Sequence, residues 1–212
     1  MLELLSAGDQ GKVGTGKFKY LDSVVGPTYT QVNEAMGFVG GSRITGDAYM
    51  SFLEEDTGEV WLVAKSQTIY NLDHNLLDAA GAFSGKVITI AGEQYFCRTV
   101  KMTTRGFTNT DLPNGGSVVY TAASTFANSE FNNIFYQVLG QNGQSVEGIE
   151  YGTSAKFSPA QLGFHAGQGG SLIGAEVNPD GYRVVQAAGY TSRLSRKAVS
   201  VSHGWRPMLR KI

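Results

Sequence analysis

Ala48-Tyr-Met-Ser-Phe-Leu-Glu54, Glu55-Asp56-Thr57-Gly58 and Glu59-Val-Trp61-Leu-Val-Ala-Lys65 follow one another, and their reading decides the fold. The first arm alternates through Tyr49, Ser51 and Leu53, the second through Val60, Leu62 and Ala64. A period of two is that of a half-buried strand, and the four residues between the arms are turn formers, so the stretch predicts a β-hairpin. A second hairpin is predicted where residues 86–90 and 94–102, rich in β-branched and aromatic side chains, bracket Ala91-Gly92-Glu93.

Around these hairpins the period changes to that of a helix. Tyr29, Val32 and Met36 share a helical face that Gly37 stops. Leu72, Leu76 and Ala79 suggest a second helix, with Asn71 or Asp73 as cap and Gly81 as stop. Phe131, Ile134, Phe135, Val138 and Leu139 form the clearest apolar stripe, ending at Gly140. Residues 182–186 and 204–211 close the chain as strand candidates, while 103–127 and the glycine-rich 140–181 read as long loops. Short strands in paired hairpins around two main helices define an α+β class.

Composition narrows the function. The chain has 212 residues, 17 Lys plus Arg against 18 Asp plus Glu, and a formal charge of -1. That balance lacks the electrostatic footprint of a nucleic-acid binder, so no nucleic-acid partner is expected. Basic residues nevertheless gather late: Arg183, Arg193, Arg196, Lys197, Arg206, Arg210 and Lys211 occur after residue 181 with no acid among them. The 28 glycines are about twice the usual share and follow no collagen period. Cys97 is the single cysteine, so no internal disulfide is possible, and within a predicted strand it reads as a buried thiol. No apolar run approaches bilayer length, and no membrane insertion is expected.

Chemical motifs are weak. Gly11-Lys-Val-Gly-Thr-Gly16-Lys17 has the glycine and lysine spacing of a phosphate loop, but Phe18 stands where a magnesium-binding hydroxyl is needed, and a flexible arm is the better reading. His74, His165 and His203 have no ligand-type neighbours and read as surface or capping residues. Glu54-Glu55-Asp56 reads as solvated turn. No Gly-x-Ser-x-Gly elbow occurs. The expectation is no catalytic residue, no cofactor and no metal.

An ordered series of segments is more specific than any of these pieces. It comprises Met36-Gly-Phe-Val-Gly-Gly, Gly58-Glu-Val-Trp61-Leu-Val-Ala-Lys65, Ile69-Tyr-Asn-Leu-Asp73 and Asp78-Ala-Ala-Gly81-Ala-Phe83, continuing with Tyr95-Phe-Cys-Arg98-Thr-Val, Asn128-Ser-Glu130-Phe131-Asn132, Tyr182-Arg-Val-Val and Gly204-Trp205-Arg206-Pro207-Met-Leu. In that order it resembles a family of virion and prophage tail-region proteins of tailed bacteriophages, whose members end in a Gly-Trp-Arg-Pro strand. Phe131 stands where the family has Trp, and Leu72-Asp73 where it has Ser-Trp. More distantly, the series is similar to the C-type-lectin-like fold of the formylglycine-generating-enzyme type. Oxidase chemistry does not carry over, because it needs a pair of cysteines. Calcium-dependent sugar binding does not carry over either, since Asn178-Pro179-Asp180 matches the calcium-site tripeptide only loosely and its companion motif is missing.

The resemblance implies an N-terminal arm with a short helix (1–35) contacting other virion proteins, followed by a C-type-lectin-like domain (36–212). Its structural residues would be Trp61, Phe131, Trp205 and Arg206, with the Trp205 ring plugging the core and Arg206 pairing with a carboxylate or carbonyl near the helix that carries Glu130. Asp111, Asn114, Phe164, His165 and Gln168 would lie in surface-recognition loops. The implied function is a virion structural protein of the tail, fibre or baseplate, displayed for recognition of a bacterial surface glycan or protein. A head or neck decoration protein is the alternative within that class, and a homo-oligomer, trimeric or higher, is expected from virion geometry. The rival from another class is a virion-borne polysaccharide hydrolase. It would need two carboxylates about 5 to 9.5 Å apart, drawn from Asp111, Glu147, Glu150, Glu176 and Asp180.

Overall fold

A computed structural model of the protein describes residues 18–102, 118–119, 129–138, 160–162, 173–177, 182–186, 193–198 and 203–212. Both predicted hairpins are present. The strands β1 (Phe18–Val25), β2 (Ser42–Arg43), β3 (Ala48–Glu54) and β4 (Glu59–Ala64) include the first, and β5 (Ile69–Leu72), β6 (Lys86–Ile90) and β7 (Glu93–Thr99) the second. They are followed by β8 (Val118–Val119), β9 (Ile173–Val177), β10 (Tyr182–Gln186), β11 (Arg193–Ala198), β12 (His203–Trp205) and β13 (Pro207–Lys211). Among the described residues three α-helices accompany them: α1 (Tyr29–Met36), α2 (His74–Ala79) and α3 (Glu130–Val138). Every described strand pair is antiparallel, which makes the fold a mixed α+β one.

The main sheet has the order β1-β3-β4-β13-β7-β6. Its two hairpins are not hydrogen-bonded to each other. The C-terminal strand β13 lies between them, pairing Met208, Leu209 and Arg210 with Val63, Leu62 and Trp61 on one side and with Arg98, Cys97 and Phe96 on the other. Because side chains alternate across a strand, β13 serves two cores. Met208 joins Met50, Phe52, Trp61, Val63, Phe131, Ile134, Phe135 and Val138 under α3. Leu209 joins Tyr49, Ala64, Cys97, Ile88, Trp205 and the buried faces of α1 and α2. A fully buried Met or Leu contributes roughly 1.5–3 kcal/mol, so this one strand stabilises both halves of the molecule.

The predicted 204–211 strand is two strands. The chain leaves the three-stranded sheet β12-β5-β2 at Trp205 and enters the main sheet at Pro207. Pro207 has no N–H to donate, which suits a ladder that begins there. Gly204 permits the crossing, since a Cβ at this position would come within 2.2 Å of the Gln67 side chain.

Further differences have local causes. Residues 18–35, read from sequence as part of an arm, belong to the folded body. β1 is an edge strand on β3, and its extra residue, Leu21, is an exposed bulge at which Ser51 Oγ bonds both the N–H and the C=O of Asp22. α1 is closed by a Thr28–Gln31 capping box and by Gly37 at φ 81°, and it buries Tyr29, Val32 and Met36 as its spacing predicts. α2 starts only at His74, capped by Asp73, so Leu72 belongs to β5 and the buried face is His74 and Leu77. Leu76, predicted to be on the core face, is exposed. His74 is buried and stacks on Phe83 with ring centroids 4.5 Å apart, not on the surface as its isolation suggested. Within the stretches read as loops lie β8, β9 and a 3-10 turn at Ala160–Leu162, and β11 was not foreseen. Residues 1–17, with the phosphate-loop look-alike, and most of 103–127 and 140–181 are outside the described residues.

The Ala91-Gly92 turn between β6 and β7 has positive φ at both positions, 52° and 84°. That is the type I′ pattern, in which an L-alanine is strained and asparagine is tolerated. Ala91→Asn is expected to raise the unfolding free energy by about 0.5–1 kcal/mol, read from the urea midpoint at unchanged slope. A lowered midpoint would contradict this turn geometry.

Candidate functional site

Trp61 and Phe131, both singled out in the sequence, meet in an interior cluster where β4, β7, β13 and α3 converge. Trp61 is 4 % exposed, and its indole Nε1 donates to Glu54 Oε2 at 3.0 Å. Thr57 Oγ1 donates to the same oxygen at 3.0 Å, while the Thr57 and Gly58 N–H groups close the turn on the Glu54 carbonyl. Glu54 is therefore buried, unlike Glu55 and Asp56, and is not the solvated turn residue its neighbours suggested. It fixes the hairpin turn to the indole.

Beside Trp61, the Arg98 guanidinium lies 4.7 Å from the ring centroid. Arg98 makes a bidentate pair with Glu130, Nη1 to Oε2 and Nη2 to Oε1, both 2.7 Å, and the two side chains are 8 % and 3 % exposed. Glu130 also accepts the Lys101 N–H at 3.0 Å, and the Phe131 N–H donates to the Lys101 carbonyl at 2.8 Å. As the first residue of α3, Glu130 suits the positive end of the helix dipole. The pair pins the N-terminus of α3 to β7, and Phe131, Ile134, Phe135 and Val138 bury the stripe that follows. Arg210 lies over both Trp61 and Phe96 and pairs with Glu59.

Trp205 and Arg206 belong to the same closure. The Trp205 ring is fully buried, meets Phe38 edge-on at 4.8 Å and donates through Nε1 to Thr99 Oγ1 at 2.8 Å. Arg206 donates to the carbonyls of Ala64 (3.1 Å), Lys65 (2.8 Å) and Leu162, and its guanidinium is 4.9 Å from the Phe135 ring centroid. Of the partners anticipated from sequence, the backbone carbonyls are those found, while the Glu130 carboxylate is held by Arg98. Burial lowers the Arg206 pKa to about 9, which leaves it charged at neutral pH.

Trp61, Phe131, Trp205 and Arg206 thus lie in the interior. Asp111, Asn114, Phe164, His165 and Gln168 lie outside the described residues, as do Asp111, Glu147, Glu150 and Asp180 of the carboxylates proposed for a hydrolase, while Glu176 falls in β9. Sequence reasoning missed the Arg98–Glu130 pair and the bond of Asn33 to Thr68, in which Nδ2 donates to the Thr68 carbonyl and Oδ1 accepts from its hydroxyl, each at 2.9 Å. The available signal was a charge, Arg98, directly after the apolar run Tyr95-Phe96-Cys97 of its strand. A buried charge needs a partner, but the sequence does not say which.

Chemically, the cluster joins elements. Its cations and carboxylates are engaged with one another, with backbone or with aromatic faces. Cys97 is fully buried, and desolvation pushes its thiol pKa up, away from nucleophilic chemistry at neutral pH. Among the described residues no group of three or more His, Cys, Asp or Glu could hold a metal ion, and no helix is long and apolar enough to cross a membrane. No family model, curated protein or solved structure matches the chain.

Two measurements test this description. Glu130→Ala leaves a buried guanidinium uncompensated and is expected to cost about 3–5 kcal/mol in urea unfolding, whereas Arg98→Met with Glu130→Leu recovers most of that loss. Equal damage in the single and double variants would show that the pair is not the coupling. Separately, burial raises the pKa values of Cys97, Tyr29 and Tyr49 from ordinary values of 9.0, 10.0 and 10.0. These groups keep their protons in the folded state where the unfolded chain loses them. Their stabilisation is therefore complete below pH 9 and declines as pH rises beyond it, opposed in part by Arg206, whose pKa is lowered. Tyr49→Phe should flatten the alkaline decline between pH 9 and 11 relative to its own value at pH 8. A slope unchanged from the parent protein would remove Tyr49 from this account.

Proposed function

We propose that the chain is a structural protein of a tailed-bacteriophage particle. In this reading a C-type-lectin-like body, attached through its N-terminal residues to other virion proteins, displays loops to a bacterial surface glycan or protein from the tail, fibre or baseplate. The observation that carries the reading is where the resembling segments meet. The segment around Trp61 is β4, that around Arg98 is β7, Ser129-Glu130-Phe131 opens α3, and Gly204-Trp205-Arg206-Pro207 spans β12 and the start of β13. These pieces, spread over about 150 residues of sequence, lie beside one another on the main sheet and in the two cores that flank it, as expected of a scaffold signature and not of unrelated short matches.

The chemistry of the core favours display over hydrolysis. Glu34, Glu54, Glu59, Glu93 and Glu130 bond or pair with Arg43, Trp61, Arg210, Lys211 and Arg98 respectively. A general acid or base must reach substrate, and the two buried carboxylates among these, Glu54 and Glu130, are spent on internal geometry. A rigid body carrying long loops is the usual arrangement for recognition.

The test is the location of the chain. Particles purified through a density gradient from the bacterium that carries the gene should contain it at a fixed, multiple copy number by quantitative mass spectrometry. Antibody against it should decorate intact particles and block adsorption. Decoration of heads without any effect on adsorption would move the chain to the decoration role, and its absence from particles would overturn the virion reading.

A further inference from the structure

We propose that β6, an open edge of the main sheet, pairs with β6 of a second copy of this chain across a two-fold axis, so that two main sheets continue into one. This goes beyond the display reading and does not depend on where the chain acts. The main sheet ends in two strands, β1 and β6. β1 is blunted, since the bulge at Leu21 breaks its register and Ser51 Oγ bonds the backbone of Asp22. β6 carries no such protection. Its pairing with β7 runs unbroken from Lys86 to Ile90, and it holds no proline or glycine. Its one charged side chain is turned away, with Lys86 Nζ donating to the carbonyls of Ala35 (3.4 Å) and Met36 (3.1 Å) at the end of α1.

Turn chemistry decides which groups that edge presents. The two-residue turn at Ala91-Gly92 makes Ile90 and Glu93 a hydrogen-bonded pair. Alternation along an antiparallel ladder then points the N–H and C=O of Ile90, Ile88 and Lys86 at β7, and those of Thr89 and Val87 outward. Among the described residues neither Val87 nor Thr89 makes a hydrogen bond outside the ladder. Both side chains are exposed, Val87 by 49 %, and Val87 lies opposite Phe96 on the face of the α3 core. A strand of β-branched residues with open main-chain groups is a template for another strand.

The edge is complementary to itself in one register. Antiparallel pairing centred on Ile88 sets Val87 against the partner's Thr89 and Thr89 against the partner's Val87, and each of these pairs exchanges both N–H···O bonds. A register centred on Val87 would instead set Thr89 against Gly85, whose N–H is already given to the Gly81 carbonyl. One centred on Thr89 would set Val87 against Ala91 in the turn. With Ile88 at the centre, Lys86 faces the partner's Ile90, and the next residue in that row is the partner's Glu93. Opposite charges are thus brought onto one face across the junction, twice by symmetry, and no like charges are opposed. A surface that meets itself closes as a dimer, so the trimer or larger assembly expected from virion geometry needs a second surface.

The experiment is sedimentation velocity of the purified full chain from about 10 to about 500 µM, because so small a contact is weak at dilution, with amide exchange by NMR at both ends of that range. A monomer–dimer equilibrium is expected, and the Val87 and Thr89 amides should exchange at least tenfold more slowly at the higher concentration. Val87→Lys with Thr89→Lys opposes like charges and should weaken the dimer at least tenfold, whereas Val87→Lys with Thr89→Glu opposes unlike ones and should keep it. Leu21→Lys, on the other edge of the sheet, should dimerise as the parent does. A chain that stays monomeric at the highest concentration, a dimer whose Val87 and Thr89 amides are no better protected, or a double-lysine variant that dimerises like the parent would overturn the proposal. So would loss of the dimer in a folded Val87→Lys, Thr89→Glu variant, which would break the register, or in Leu21→Lys, which would move the contact to β1. The amide comparison uses the unaltered chain and decides the matter if a variant does not fold.

Discussion

The insertion of β13 between β4 and β7 is the interaction on which the rest of the structure depends. Without it the main sheet is two separate antiparallel ribbons, β1-β3-β4 and β7-β6, each with a ladder edge exposed. Small isolated ribbons are marginal in water. The final strand completes both ladders, supplies Met208 to one core and Leu209 to the other, and brings Arg210 onto Trp61 and Phe96. Its pairing with β4 joins residues about 150 positions apart in the chain, a separation that makes closure late and slow in folding.

Buried charge is the second constraint, and the fold resolves it in two ways. Arg98 and Glu130 satisfy each other, with the remaining capacity of Glu130 taken by a backbone N–H. Arg206 is instead solvated by carbonyls at the end of β4 and in the 160–162 turn. Planar guanidinium groups suit both tasks, because each spreads donors across a fork while leaving a face for an aromatic ring. Both arginines therefore act as joints between elements distant in sequence: Arg98 ties β7 to α3, and Arg206 ties the β12–β13 crossing to β4, to the 160–162 turn and to Phe135 of α3.

Much of the local structure was legible in the residues. The β3–β4 and β6–β7 hairpins, α1 with its glycine stop, the α3 stripe, β10 and the burial of Cys97 all follow from period and turn chemistry. Those signals act within a few residues, so the sequence carries them directly. The α2 register was misread because Leu72, Leu76 and Ala79 have helical spacing, yet Asp73 caps the helix one residue before His74 and rotates Leu76 outward. The misreading of Glu54 has the same origin. Its neighbours are solvated, but the carboxylate folds inward to an indole seven residues away.

By itself the sequence determined the α+β class, the positions of the hairpins, the apolar faces of α1 and α3 and the cationic bias of the last thirty residues. Each of these depends on spacing along the chain. Only the tertiary structure decided that the terminal segment divides at Arg206 between two sheets, that Glu130 belongs to Arg98, that residues 18–35 join the core and that β10 pairs with β11. Those outcomes depend on which strand lies beside which, and no local propensity specifies that. It follows from closing long loops around shared apolar surface and from the requirement that every buried charge and backbone group find a partner.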